Sequence, residues 1–363
     1  MDDLAIRKPR IIDLDVTRAV ALIGVTVMNY YGYMLIQNYQ VSDPKTLAQR
    51  IFDPWEGPLS TRFAATFCLV AGAAVTLFTQ RSRLGGNPQL ISADRWRLVR
   101  RGFLLYAGGV VFNWIWPGTI LFFYGAMFMV AAVLFTLRTR WLALVAIGSA
   151  AIGAALQWWA LTRDDDGAWL FYPGPQSPRG LLLNTFVNGT HPLFPWLAFF
   201  CAGMILGRHL AIGRTQRLVI GLGGCLTVAA TYVGSGLWAD HSLFTERILS
   251  THPDSRSLVY TANALGSALA AFCVIGGLAE VTRHRLPTRV LAAAGRTSLT
   301  LYVGHALVFN LLVNVLGWVR PTGLDTALVF ALGYWIAAIV AAALWQRRYR
   351  IGPLEVVYRK FGG

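Results

Sequence analysis

Ten predominantly apolar stretches, most of them about 20 residues long, follow one another at about 16–36, 61–80, 102–117, 119–137, 141–161, 193–212, 217–238, 258–280, 298–318 and 324–346. A helix rises 1.5 Å per residue, so roughly 20 residues match the hydrocarbon core of a bilayer. The chain therefore reads as an all-α, polytopic integral membrane helical bundle, one transmembrane domain over 1–363. The third and fourth stretches are expected to form a tight pair across Trp116-Pro117-Gly118. Charged residues make up 13% of the chain, about half of the ~25% of a water-facing domain, which excludes an ordinary soluble enzyme, a disordered chain and a disulfide scaffold. No internal repeat of 20–50 residues is visible, and no cleavable signal peptide is expected because the first apolar run is long and flanked like a true span.

The formal net charge of +15 follows the topology. With the N-terminus in the cytoplasm, the inner segments hold Arg7, Lys8, Arg10, the run from Arg81 to Arg101, Arg138, Arg140, Arg208, Arg214, Arg217, Arg283, Arg285, Arg289, Arg296 and the tail from Arg347 to Lys360. The alternation holds at every span, which predicts cytoplasmic N- and C-termini. The excess of arginine then reflects topology and attraction to anionic membrane lipids rather than nucleic acid. The outer loops 37–60, 162–192 and 239–257 carry acids instead: Asp43, Asp53, Glu56, Asp164, Asp165, Asp166, Asp240, Glu246 and Asp254, with Trp55 and Trp169. Acids beside tryptophans suit a sugar-binding surface, to which Trp116 and Trp196 at the neighbouring helix ends would add. The competing reading is an interfacial aromatic belt with solvated loops. Cys68, Cys201, Cys225 and Cys273 lie singly in apolar runs, without metal-ligand spacing, so no metal site is expected.

Four blocks carry residues suited to chemistry. Asp15 and Arg18, at i and i+3, open the first span and can pair on one face. Arg18 stands at the membrane edge, where its fork can hold phosphate, and Asn29 follows in the same helix. Asn113 precedes the turn at Trp116. His191, held before Pro192 and Pro195, stands at the outer interface as a general base for a hydroxyl or amine, or as a plain surface histidine. In Gly295-Arg296-Thr297-Ser298, the glycine breaks the inner segment and Thr297 or Ser298 can cap the ninth span. His305 then lies about 10 Å into the membrane, either functional or a neutral ring bonded between helices. Asp15 and Glu280 are both at the inner edge, and no carboxylate falls mid-membrane. Proton- and sodium-driven carriers use such acids, which weakens a transporter reading.

Together these blocks resemble a known family. The run Asp15 to Asn29 is similar to the D-x-x-R-G-x-A-x-x-G-I-x-x-x-N opening of the YeiB-like bacterial membrane proteins. His191-Pro-Leu-Phe-Pro-Trp with Gly203, Gly207 and Arg208 resembles their Y-P-x-x-x-W…G…L-G-R segment, and Gly295-Arg-Thr-Ser-Leu-Thr-x-Tyr their G-R-x-S-L-T-x-Y segment. That family is similar to heparan-α-glucosaminide N-acetyltransferase. Ala19 and Thr119 depart from its pattern, and Phe52 to Gly57 lacks the outer-loop histidine of the mammalian-type enzyme.

The resemblance implies an acyltransferase of the bacterial cytoplasmic (inner) membrane, moving an acetyl-like group from cytoplasmic acyl-coenzyme A to a hydroxyl or amine of an envelope glycan or glycolipid. Arg18 and Arg296, with Arg97, Arg100 and Arg101, would hold the donor's phosphates. His191, or a carboxylate such as Asp53 or Glu56, would activate the acceptor. His305 would polarise the thioester or relay a proton, and Asn29 or Asn113 would stabilise the oxyanion. A homodimer is compatible with this scheme. Two other readings stay open: a transporter or flippase for a lipid-linked or small polar metabolite, and a non-catalytic subunit of envelope assembly.

Overall fold

A computed structural model describes residues 12–37, 45–162, 177–209, 213–238, 247–349 and 351–363. Arg7, Lys8, Arg10, Asp43, Asp164, Asp165, Asp166, Trp169, Asp240 and Glu246 lie outside the described residues. All regular secondary structure among the described residues is helical. The α-helices are α1 (Ile12–Gln37), α2 (Leu47–Ile51), α3 (Arg62–Phe78), α4 (Gln80–Gly85), α5 (Pro88–Phe112), α6 (Leu121–Leu134), α7 (Thr139–Leu161) and α8 (Pro178–Leu183). They continue with α9 (Leu193–Arg208), α10 (Arg214–Trp238), α11 (Leu258–Val281), α12 (Leu286–Arg296), α13 (Ser298–Phe309), α14 (Leu324–Arg348) and α15 (Pro353–Gly362).

Each of the ten apolar stretches coincides with a helix, but the helices differ in reach. Among the described residues, six are long and apolar enough to cross a membrane: α1, α7, α10, α11, α13 with the π-helical turn after it, and α14. A seventh span forms if α8 and its π-helical extension count with α9, the two halves meeting at a 53° bend. The runs at 61–80 and 119–137 give the shorter apolar helices α3 and α6. The run at 102–117 forms only the second half of α5. That helix starts much earlier, because Asn87 accepts the N–H groups of Gln89 and Leu90 and Pro88 takes the first helical position, where its missing N–H costs nothing.

Between helices in an apolar setting, small residues allow backbones to touch, and van der Waals contact replaces the hydrophobic drive. The α3–α9 pair is built this way. A Cβ on Gly203 would fall 1.9 Å from the Leu69 carbonyl oxygen, and one on Gly72 2.0 Å from that of Phe200. The expected small-x-x-x-small face of Gly203 and Gly207 is thus the contact surface. Helix α1 is central and packs against α3, α11, α12, α13 and α14. At its start it meets α12 equally closely, a Cβ on Gly295 falling 1.9 Å from the Asp15 carbonyl oxygen. That contact brings Arg296 to the same end as Arg18.

Gly203→Ala should therefore push α3 and α9 apart, at the ~1–3 kcal/mol typical of overpacking. Gly223→Ala on α10, where an added Cβ meets nothing within 4 Å, should be neutral or slightly stabilising. Thermal unfolding of the two purified variants in one detergent checks the contrast.

Candidate functional site

Two cavities open at opposite ends of α1. The first, of about 300 Å3, is lined by Arg18 of α1, Arg101 of α5, Arg296 of α12, Ser298 of α13 and Arg359 of α15, with Phe67, Val75, Tyr124 and Tyr302 along its apolar depth. Arg18 is drawn in by Asp15 at 3.7 Å and by the Gly295 carbonyl, to which Nη1 donates at 3.4 Å. Arg296 donates to Gln346 of α14 at 2.7 Å. The guanidinium of Arg101 lies over the rings of Phe78 (4.4 Å) and Tyr358 (5.4 Å), and its buried Nε makes no hydrogen bond.

The carboxylate on that cavity's wall is Glu355. It is 9% exposed and caps α13 from another helix. Oε1 accepts the N–H groups of Leu299 (2.7 Å) and Thr300 (3.2 Å), and Oε2 accepts the Thr300 hydroxyl at 2.5 Å. A carboxylate suits a helix N-terminus, where unpaired N–H groups and the dipole favour negative charge. Thr297 holds the cap position but gives no side-chain cap; its hydroxyl bonds back to Ala294.

The second cavity, of about 430 Å3, is lined by Asn29 and Tyr33 of α1, Trp55, Thr61, Thr190, His191, Trp196, Asp254, Arg256 and Tyr260. His191 lies in the break between α8 and α9. Its Nδ1 is 2.9 Å from the Thr190 hydroxyl, and its ring meets Trp196 edge-on at 4.3 Å. Arg256 donates to the Gly189 carbonyl at 3.0 Å; burial pulls its guanidinium down to about 10. Behind this wall Arg62 is 6% exposed and bonds to Asn263 and to the Ser60 and Thr251 carbonyls, each at 2.8 Å. These neutral acceptors tie α3 to α11.

A polar seam runs between the cavities. His305 is fully buried. Its Nδ1 faces the Tyr302 carbonyl, which can only accept, so Nδ1 carries the hydrogen and Nε2 accepts from Asn29 Nδ2 at 3.1 Å. Tyr30 donates to the His305 carbonyl at 2.9 Å. The Tyr302 hydroxyl accepts the Ile120 N–H at 3.0 Å and lies 3.2 Å from the Thr119 hydroxyl.

The structure gathers some of the residues picked from sequence and separates others. Arg18, Arg101, Arg296 and Ser298 share the first cavity; Asn29, Trp55, His191 and Trp196 share the second. Arg97 is taken by Asp94 at 3.1 Å, and Arg100 is exposed. Asn113 accepts the Gly118 N–H at 3.0 Å and so holds the turn. Trp116 is 2% exposed and stacks on Tyr33 at 3.9 Å, which makes it packing behind the wall. Asp53 bonds Lys45 at 2.8 Å and the N–H groups of Trp55 and Glu56 at 3.0 and 2.9 Å, while Glu56 points outward, 73% exposed, 3.8 Å from Lys45. The residues that sequence reading missed are Glu355, Tyr358 and Arg359. Pro353 ahead of a mixed apolar and charged decapeptide is the helix-start signal that marks them.

A family model described as the catalytic part of heparan-alpha-glucosaminide N-acetyltransferase matches residues 10–235, more than half of the chain. A second, described as a protein of unknown function (DUF418), matches residues 212–362. No curated protein matches the chain. The first match carries Arg18, Asn29 and His191; the second carries Arg296, His305 and Glu355.

Glu355→Ala should leave two N–H groups and a hydroxyl of α13 without their acceptor, at ~1–3 kcal/mol for each buried group left unpaired. It should also free α15 for tryptic cleavage after Arg348, and Glu355→Gln should fall between, since it keeps one accepting oxygen. Limited proteolysis and thermal unfolding check both. Burial raises the Asp53 carboxyl, but the Glu56 N–H, the Lys45 ammonium and the Trp55 N–H outweigh it and hold the group below its ordinary value of 3.8. A carboxyl lowered by folding stabilises at neutral pH and loses that contribution as pH falls below its ordinary value. Asp53→Asn should therefore lower the melting temperature at pH 7 and narrow its gap to wild type as pH falls below about 4, as melting curves across pH would record.

Proposed function

The chain belongs to the heparan-alpha-glucosaminide N-acetyltransferase catalytic family, and from that premise we propose that it is a membrane acyltransferase working across the two cavities. The donor is an acyl-coenzyme A thioester of the cytoplasm, and the acceptor is a hydroxyl or amine of an extracytoplasmic glycan or glycolipid. The observation that carries this reading is the pairing itself. An arginine-lined cavity at one end of α1 meets a cavity holding a histidine, an amide and tryptophans near the other.

Arg18, Arg101, Arg296 and Arg359 suit the phosphates of the donor. Guanidinium forks bind such oxyanions through two parallel bonds, and Arg101 brings a buried N–H without a hydrogen bond. The apolar depth along Phe67, Val75 and Tyr124 suits the pantetheine arm. His191 takes the proton from the acceptor's O–H or N–H as that atom bonds to the acyl carbon. The amide of Asn29 has two N–H groups; His305 accepts one, and the second faces the charge that develops on the thioester oxygen. The C–S bond then breaks, and the departing thiolate takes up a proton. His305 is a positioning residue in this scheme, acting through Asn29. The charge bias of membrane proteins supports a cytoplasmic position for the arginine-lined end.

Acetyl-coenzyme A should raise the melting temperature of the purified protein in detergent. Arg18→Ala or Arg296→Ala should weaken that binding about 10- to 100-fold, the scale of one charge-assisted hydrogen bond. His191→Ala should keep the shift but lower transfer by ~10²–10⁴-fold, the scale of a general base. A folded, monodisperse protein with no shift overturns the reading.

A further inference from the structure

Among the residues lining the two cavities, Ile120 alone is common to both. It is 4% exposed and stands at the N-cap of α6, just beyond Gly118, whose φ of +80° is the left-handed region that favours glycine. The backbone around it is clamped on several sides. Asn113 holds the Gly118 N–H at 3.0 Å, Tyr33 donates to the Pro117 carbonyl, and the Tyr302 hydroxyl holds the Ile120 N–H at 3.0 Å. With the main chain fixed, the isoleucine side chain is the part of the partition that a substitution can change without moving the backbone. It is branched at Cβ, which restricts it at χ1, so it does not swing aside as a leucine or methionine would.

We infer that Ile120 sets the acyl length that the protein accepts, as the partition past which the acyl group must reach. This rests on the acyltransferase reading above and deepens it: the donors are thioesters of short acyl groups. The bond being exchanged lies between the cavities, because the acceptor atom must come within ~3.5 Å of the acyl carbon. The acyl chain therefore lies against Ile120 at the moment of transfer. One methylene too many in a well-packed pocket changes discrimination by about 10- to 200-fold, so a single branched side chain suffices to separate acetyl from butyryl.

The test measures affinities of the full-length protein in detergent for acetyl-, propionyl-, butyryl- and hexanoyl-coenzyme A, by ligand-dependent thermal shift. Free coenzyme A carries no acyl group and serves as the internal reference for the arginine-lined end. Wild type should bind butyryl-coenzyme A at least 10-fold more weakly than acetyl-coenzyme A, each taken relative to free coenzyme A. Ile120→Ala should reduce that ratio to about threefold or less. Ile120→Val removes one methyl and keeps the branch; it should raise propionyl-coenzyme A binding relative to acetyl and decides the matter if Ile120→Ala does not fold. An unchanged order of thioesters in Ile120→Val and in any folded Ile120→Ala, with free coenzyme A still bound, overturns the assignment of Ile120 and leaves the acyltransferase reading standing. A wild-type protein stabilised by neither coenzyme A nor any thioester overturns both.

Discussion

The ring of His305 joins α13 to α1 between the two cavities. One nitrogen is committed to the carbonyl of Tyr302, one turn back in its own helix, and the other to the amide of Asn29 in α1. Tyr302 in turn holds the start of α6 through its hydroxyl. A polar side chain buried among apolar helices has no water to fall back on, so each of these groups depends on the next being in place. The seam fixes the depth of Asn29, the register of α13 against α1 and the position of the turn before α6. Both cavities take their inner limits from it.

The sequence made the class of architecture plain, because period and length of apolar runs are direct consequences of the bilayer as solvent. It was less informative about span number. Runs 61–80 and 119–137 look like the others in composition, yet α3 and α6 are 17 and 14 residues long. Their ends are set by turns whose geometry rests on partners far away in the chain, such as Tyr302 for the turn at Thr119. The arginine site was legible at Arg18 and Arg296, which sit where helices begin and end. The cluster in α5 was harder to read. Arg100 and Arg101 point about 100° apart around a helix; Arg101 lines the cavity and Arg100 is exposed. Arg97 shares the face of Arg101, but Asp94 one turn earlier claims it. Asn113 and Asp53 have the chemistry of catalytic groups and spend it on loop backbone.

The two ends of α1 use charge differently. Near Arg62 the positive charge is enclosed and satisfied by carbonyl and amide oxygens, which gives a rigid joint between α3 and α11. At the other end, Arg18, Arg101, Arg296 and Arg359 surround open volume with Glu355 among them. Like charges held around a space repel one another, and an anion in that space relieves the repulsion. Charge met by fixed oxygens stands at one end, and charge facing open volume at the other.

The position of α15 in the chain has a consequence for how the protein is made. Glu355, Tyr358 and Arg359 complete the wall of a cavity whose other sides come from α1, α3, α5, α6, α12 and α13. Chains emerge from the ribosome N-terminus first, so every other wall is synthesised before this one. During that interval the first turn of α13 has no carboxylate acceptor, and Arg101 has no Tyr358 ring over its guanidinium. The wall of the arginine pocket is therefore complete only once the chain has been translated through residue 359.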